Sequence, residues 1–294
     1  MSNCPPDLSI LKQFNKKLVR LSSSTRTNNN SSFDERNSFP TNYQISFTST
    51  GQELNKIKKI SLIMFSTNNL FYNVASYNNA MQIAYSGSVS GLFMIRITPG
   101  YYNATQLASA ITAYVVANCP DLPLFVCTFD VNTYKFSLNS GDPSILLTIT
   151  NAIINPNTQQ YINTLAYNMG YTFFPYGAPP SITALQILTA NTLPNLNIQN
   201  IYVFSDKLAS SKSFRSDASN RSIQGNELFN ISLATTPYGA TVNYTSTDAG
   251  QKTDIIYPIE LQLDTIDIQL LNESGNVLEC DYNNNNVFEF MIYY

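Results

Sequence analysis

The chain has 294 residues, a net charge of −3 and only 12% charged residues, about half the roughly 25% of ordinary soluble domains. It contains no histidine and no tryptophan. The missing imidazole removes the commonest proton carrier near neutral pH and excludes Ser-His-Asp and Cys-His nucleophile systems and His-containing metal sites.

Residues 1–38 differ from the rest. Polar low-complexity runs at 22–24 and 28–32 cannot bury enough apolar surface to offset ordering entropy. Within residues 1–30 the bases Lys12, Lys16, Lys17, Arg20 and Arg26 face the single acid Asp7. This segment is therefore +4 and the remainder −7 in a chain of net −3. Leu8, Leu11, Phe14, Leu18 and Leu21 recur at the three- and four-residue spacing of an amphipathic helix. The segment reads either as a docking arm that meets something acidic or as a solvated tail. No apolar h-region marks a signal peptide, and no apolar stretch approaches 18 residues.

From Phe39 onward strand patterns take over. Alternation of apolar and polar residues predicts strands at 43–47, 56–65, 81–85 and 92–97, separated by Asn-, Ser- and Gly-rich turns. Asn103 or Thr105 can cap a helix with apolar positions at Leu107, Ile111, Tyr114 and Val115, which should stop near Asn118 before Pro120. A hairpin of 124–129 and 134–138 follows, and 146–149 can add a third strand. A second helix is expected over 158–169, ending at Gly170. After the prolines at 175, 179 and 180, strands are expected at 198–204, 228–233, 241–244, 255–263, 266–271 and 287–293. Pro258 marks the fourth of these as an edge strand or a bulge. The segment 205–226 reads as a long exposed loop.

Many short strands with polar turns argue for an antiparallel sandwich or barrel, interrupted by a helix–hairpin–helix block near 99–180. The distant first and last strands are expected to pair. The composition includes 36 asparagines. Such a polar, weakly charged surface suits burial against neighbouring subunits, since unpaired buried charges are costly; AT-rich codon usage would produce the same composition. The cysteines Cys4, Cys119, Cys127 and Cys280 form no Cys-x-x-Cys pair and read as reduced thiols, as in an intracellular compartment.

Few constellations suggest chemistry. Asp264, Asp267 and Glu273 lie near one another, but no Asp-x-Asp-x-Asp-Gly loop organises them for a hard cation. No catalytic residue, metal ligand or cofactor is expected. Tyr101, Tyr102, Tyr171, Phe173, Phe174 and Tyr176 can form a recognition surface for a sugar or pack as core.

The run 92–97, Pro99-Gly100-Tyr101-Tyr102, the helix at 105–117, Leu165-Ala166-Tyr167-Asn168-Met169-Gly170-Tyr171, the run 201–206, and finally 266–278 and 288–292 form an ordered set. This order, over roughly residues 39–294, resembles the penton and minor-capsid jelly-roll proteins of virophages, polinton-like elements and related large DNA viruses. The resemblance implies a mainly β, antiparallel single jelly roll with a small α+β insertion. Its halves would be 39–98 and 181–294, the insertion 99–180, and 1–38 an inward-facing arm. It further implies a structural virion protein rather than an enzyme, a homopentamer at an icosahedral vertex, contacting the major capsid protein and other minor capsid proteins. Genome contact would be non-specific and confined to Lys12, Lys16, Lys17, Arg20 and Arg26, with no membrane span. A lectin-like attachment protein and an internal cement protein are the alternatives.

Overall fold

In the computed structural model the described residues are 16–23, 40–46, 54–150, 154–155, 160–161, 165–171, 186–208, 213–216, 222–225, 227–245, 254–281 and 284–294. Alternation builds the sheets. In β1 (Lys16–Ser22), Val19 and Leu21 point inward and Lys16, Leu18 and Arg20 outward. In β19 (Val287–Tyr293), Phe288, Phe290 and Ile292 are buried while the residues between them are half-exposed. Period-two burial of this kind is what a sheet with one covered face requires.

Eight strands form the main body: β1, β2 (Asn42–Ser46), β3 (Leu54–Asn68), β12 (Asn200–Phe204), β15 (Glu227–Ser232), β17 (Asp254–Leu263), β18 (Thr265–Leu271) and β19. Their antiparallel pairs are nested: first with last (β1–β19), second with seventh (β2–β18), third with sixth (β3–β17) and fourth with fifth (β12–β15). That is one long hairpin. Rolled up, it places β19 beside β3 and β18 beside β12, giving one sheet in the order β1-β19-β3-β17 and another in the order β15-β12-β18-β2. This is a jelly roll. An extra strand, β16 (Thr241–Thr245), extends the first sheet along the far end of β3. Between the sheets lies a core that includes Ile57, Ile60, Leu62, Phe65, Ile201, Val203, Ile268, Phe288, Phe290 and Ile292. Phe288 packs against Phe65 with ring centroids 4.7 Å apart.

The chain between β3 and β12 builds a second core. Here β4 (Ala80–Gly87) pairs with β5 (Gly91–Arg96) and with β8 (Ile145–Thr150). Beside them, β6 (Val126–Asp130), β7 (Lys135–Asn139) and β11 (Ile187–Thr189) form a second small sheet. Helix α1 (Ala104–Asn118) packs on it through Leu107, Ala108, Ile111 and Val115. Its start is fixed by a reciprocal capping box: the Gln106 amide N–H donates to Asn103 Oδ1 at 2.8 Å, and the Asn103 N–H donates to Gln106 Oε1 at 3.0 Å. Gly170 ends the short helix α2 (Leu165–Asn168) at φ +91°, where a Cβ would sit 2.3 Å from the Thr192 carbonyl oxygen.

Four expectations are corrected. β4 and β5 pair with β8 rather than with jelly-roll strands, so the second core begins at Val74, after Phe71 of the first core, and not at residue 99. Residues 16–22 form a strand of the jelly roll, not the end of a helical stripe in an arm, because β19 offers a ladder in register from Lys16↔Tyr293 to Ser22↔Val287; Leu8, Leu11 and Phe14 lie outside the described residues. The helix expected over 158–169 is limited to α2, since Gln160–Tyr161 (β10) pairs with Ile154–Asn155 (β9). Within the expected loop 205–226, Ser213–Ser216 (β13) and Ser222–Gly225 (β14) form an antiparallel pair.

Candidate functional site

The basic residues of the N-terminal segment divide. Lys16, Lys17 and Arg20 stand on β1, whereas Lys12 and Arg26 lie outside the described residues. Arg20 reaches Glu289 on the neighbouring strand at 3.7 Å. Lys16 and Lys59 flank the Tyr293 ring, their Nζ atoms 5.4 and 4.9 Å from its centroid, a cation–π arrangement. Lys16, Lys17 and Arg20 therefore decorate one edge of a sheet, and Lys59 lies inside it on β3.

The described members of the aromatic set, Tyr101, Tyr102 and Tyr171, do not form one surface. Tyr171 is 1% exposed, and its hydroxyl donates to the Leu188 carbonyl at 2.9 Å. Its ring fills the second core, so it presents no recognition surface. Tyr102 is half-buried, with its hydroxyl donating to the Thr98 carbonyl. Phe173, Phe174 and Tyr176 lie outside the described residues. Tyr101, in contrast, is exposed and stacks face to face on Tyr238, with centroids 3.7 Å apart and planes 10° from parallel.

That stack borders a groove of about 620 Å³ where the inserted unit meets the jelly roll. Three chain segments supply its walls. The stretch leaving β3 contributes Asn69, Phe71 and Asn73, the stretch entering β12 contributes Leu196 to Gln199, and the β15–β16 connection contributes Leu233 to Tyr238. Short hydrogen bonds hold these walls. Asn69 Nδ2 donates to the Thr236 carbonyl at 2.8 Å, Asn73 Nδ2 donates to the Tyr102 carbonyl at 2.7 Å, and the Leu233 N–H donates to the Gln199 carbonyl at 2.7 Å. Tyr238 is the member that the sequence reading missed. Pro237-Tyr238-Gly239 reads as an ordinary turn, and only the fold brings it to Tyr101.

The acidic residues are engaged structurally. Glu273 Oε1 accepts the Gln199 and Asn200 N–H groups at 2.8 and 2.6 Å. Asp267 accepts the Ser205 hydroxyl and the Asp206 and Lys207 N–H groups at 2.9–3.0 Å. Together they secure both ends of β12 to β18. Among the described residues no group of His, Cys, Asp or Glu is placed to hold a metal ion. Cys119, Cys127 and Cys280 are buried thiols outside any disulfide among the described residues, and burial pushes the Cys127 thiol up to about 12. No described helix is long and apolar enough to cross a membrane.

The strand order defines a jelly-roll β protein with an α+β insertion between the third and fourth strands of the roll. No protein-family model and no curated protein sequence matches the chain. Among solved structures the mavirus penton protein is similar: the match covers 95% of this chain and 99% of that one, with a TM-score of 0.47 and 11% identity. The jelly-roll assignment itself rests on strand order and register.

Proposed function

We propose that the chain is a structural subunit of a virus shell, a vertex (penton-type) protein that closes into a ring and contacts the major capsid protein. The observation that carries this reading is the nested pairing of eight strands into a single jelly roll, an architecture that recurs in viral capsid and lectin domains. The inference from fold to role is an analogy, and the edges of the first sheet add a physical argument to it.

A ring requires a head-to-tail contact between two different surfaces of each subunit. The first sheet has two such edges among the described residues. One is β1, which carries Lys16, Lys17, Arg20 and an outward Leu18 that is 55% exposed. The other is β17, where Ile259 is 83% exposed beside Glu260, which reaches Lys58 of β3 at 3.5 Å, and the exposed Asp264. The β17 pairing breaks register between Ile256 and Leu261, around Pro258, which has no N–H to offer. A bulge with proline resists indefinite strand addition, so side chains rather than a continued ladder would make the contact. With Arg20 paired to Glu289 and Glu260 to Lys58, the two edges differ in charge through Lys16 and Lys17 on one and Asp264 on the other, which favours unlike edges meeting.

Sedimentation of two variants tests this. Ile259→Glu and Leu18→Glu each place a charge in the contact and should convert rings to monomers without lowering the unfolding midpoint, since both side chains are already in solvent. Rings that survive both substitutions would rule out these edges.

A further inference from the structure

We propose that the groove between the jelly roll and the inserted unit is a binding site for a neutral saccharide. It is separate from the β1 and β17 edges, so it can stand whether or not the chain assembles into a ring.

Charge is the first argument. None of the groove's lining residues is charged. The phenols of Tyr72, next to the lining residues, and of Tyr238, one of them, are raised above their usual value by burial and next by the Asp281 carboxylate. An anionic ligand would therefore meet a carboxylate nearby and no counter-charge among the lining residues. Hydrogen-bonding capacity is the second. The side-chain amides of Asn197 and Gln199 and the hydroxyl of Thr235 line the groove with no hydrogen-bond partner among the described residues. Amides and hydroxyls both donate and accept, as sugar hydroxyls do. Shape is the third. Phe71, Leu196, Ile198 and Leu233 give the lining an apolar component, and the Tyr101–Tyr238 stack offers exposed ring surface, the two being 37% and 38% exposed. Aromatic rings suit the C–H face of a pyranose, with their hydroxyls left to the wet rim. The volume falls within the range of about 300–1,000 Å³ usual for small-molecule sites.

The walls are already organised. Asn69 and Asn73 spend their side chains on framework bonds, and Glu273 holds the backbone N–H groups of Gln199 and Asn200. Binding would therefore order little beyond the exposed amides.

Saturation-transfer NMR and calorimetry on the full chain, against a panel of neutral, sialylated and sulfated oligosaccharides, test the proposal. Neutral members should bind and the anionic ones should not. Gln199→Ala should weaken binding about three- to tenfold at an unchanged unfolding midpoint, because its side chain holds no framework bond. Tyr238→Ala should weaken it about tenfold. Binding of no neutral saccharide would overturn the proposal. So would binding indifferent to Gln199→Ala, or a groove filled by a neighbouring subunit's chain in assembled particles.

Discussion

Asn286 is 0% exposed at a point where four chain segments meet. Its Nδ2 donates to the Pro40 carbonyl at 2.7 Å, its Oδ1 accepts the Thr67 hydroxyl at 2.5 Å, and its backbone exchanges hydrogen bonds of 2.9 Å with Ser23. One residue, through side chain and backbone together, thus ties the end of β1, the start of β2, the far end of β3 and the start of β19. Asn286→Ala would strand the Pro40 carbonyl in a dry site and leave the Thr67 hydroxyl only its 3.3 Å bond to the Asn68 carbonyl, at a cost of about 1–3 kcal/mol. For a chain of this size the unfolding midpoint should drop by a few degrees, roughly 2–4 °C per kcal/mol. Calorimetry checks this, and an unchanged midpoint would show that water replaces the lost bonds. The run 283–286 is conspicuous in the sequence, but as a polar turn. Nothing local marks its last member as buried, because the partners come from residues 23, 40 and 67. Pro258 was legible, because a missing N–H restricts a strand residue regardless of tertiary context.

β1 shows why an element can be misread. Leu18 and Leu21 are three apart and suit one face of a helix, yet in the strand they fall on opposite faces. A short segment with both spacings is ambiguous, and a partner strand at the other end of the chain decides it. α1 was legible to within a residue at each end, with Asn103 one of its two candidate caps, because its cap and its stripe are both local. A shortened chain beginning at residue 24 would lose β1 and bare the β19 edge. Buried Val19 and Leu21 contribute about 1.5–3 kcal/mol each, so the midpoint should fall clearly. The exposed ladder should also promote concentration-dependent aggregation, visible by light scattering. Equal stability and solubility of the shortened chain would mean that β1 is not an integral strand of the roll.

At the scale of the whole molecule, stability should be insensitive to pH between about 6 and 8, since no histidine is present to titrate there. It should decline above about pH 9. Burial raises Cys127 from 9.0 to about 12 and raises Tyr77, Tyr171 and Tyr257 above the usual 10.0. In each case the neutral form is favoured in the folded state. The stabilisation is therefore complete below the unfolded value and is lost as pH climbs toward the folded one. A stability maximum at alkaline pH, in a melting series from pH 5 to 11, would contradict those burials. An antiparallel sandwich or barrel could be read from strand spacing, the jelly roll only through the resemblance, and the limits of the insertion could not be read. β4 and β5 alternate just as jelly-roll strands do, and only their pairing with β8 assigns them to the second core. The central claim is that this rolled hairpin works by joining copies of itself through its two unlike edges. Native mass spectrometry of the purified full chain at micromolar concentration tests it most directly. The account predicts a closed oligomer of five subunits of 32.8 kDa each; a monomer that persists as concentration rises would contradict it.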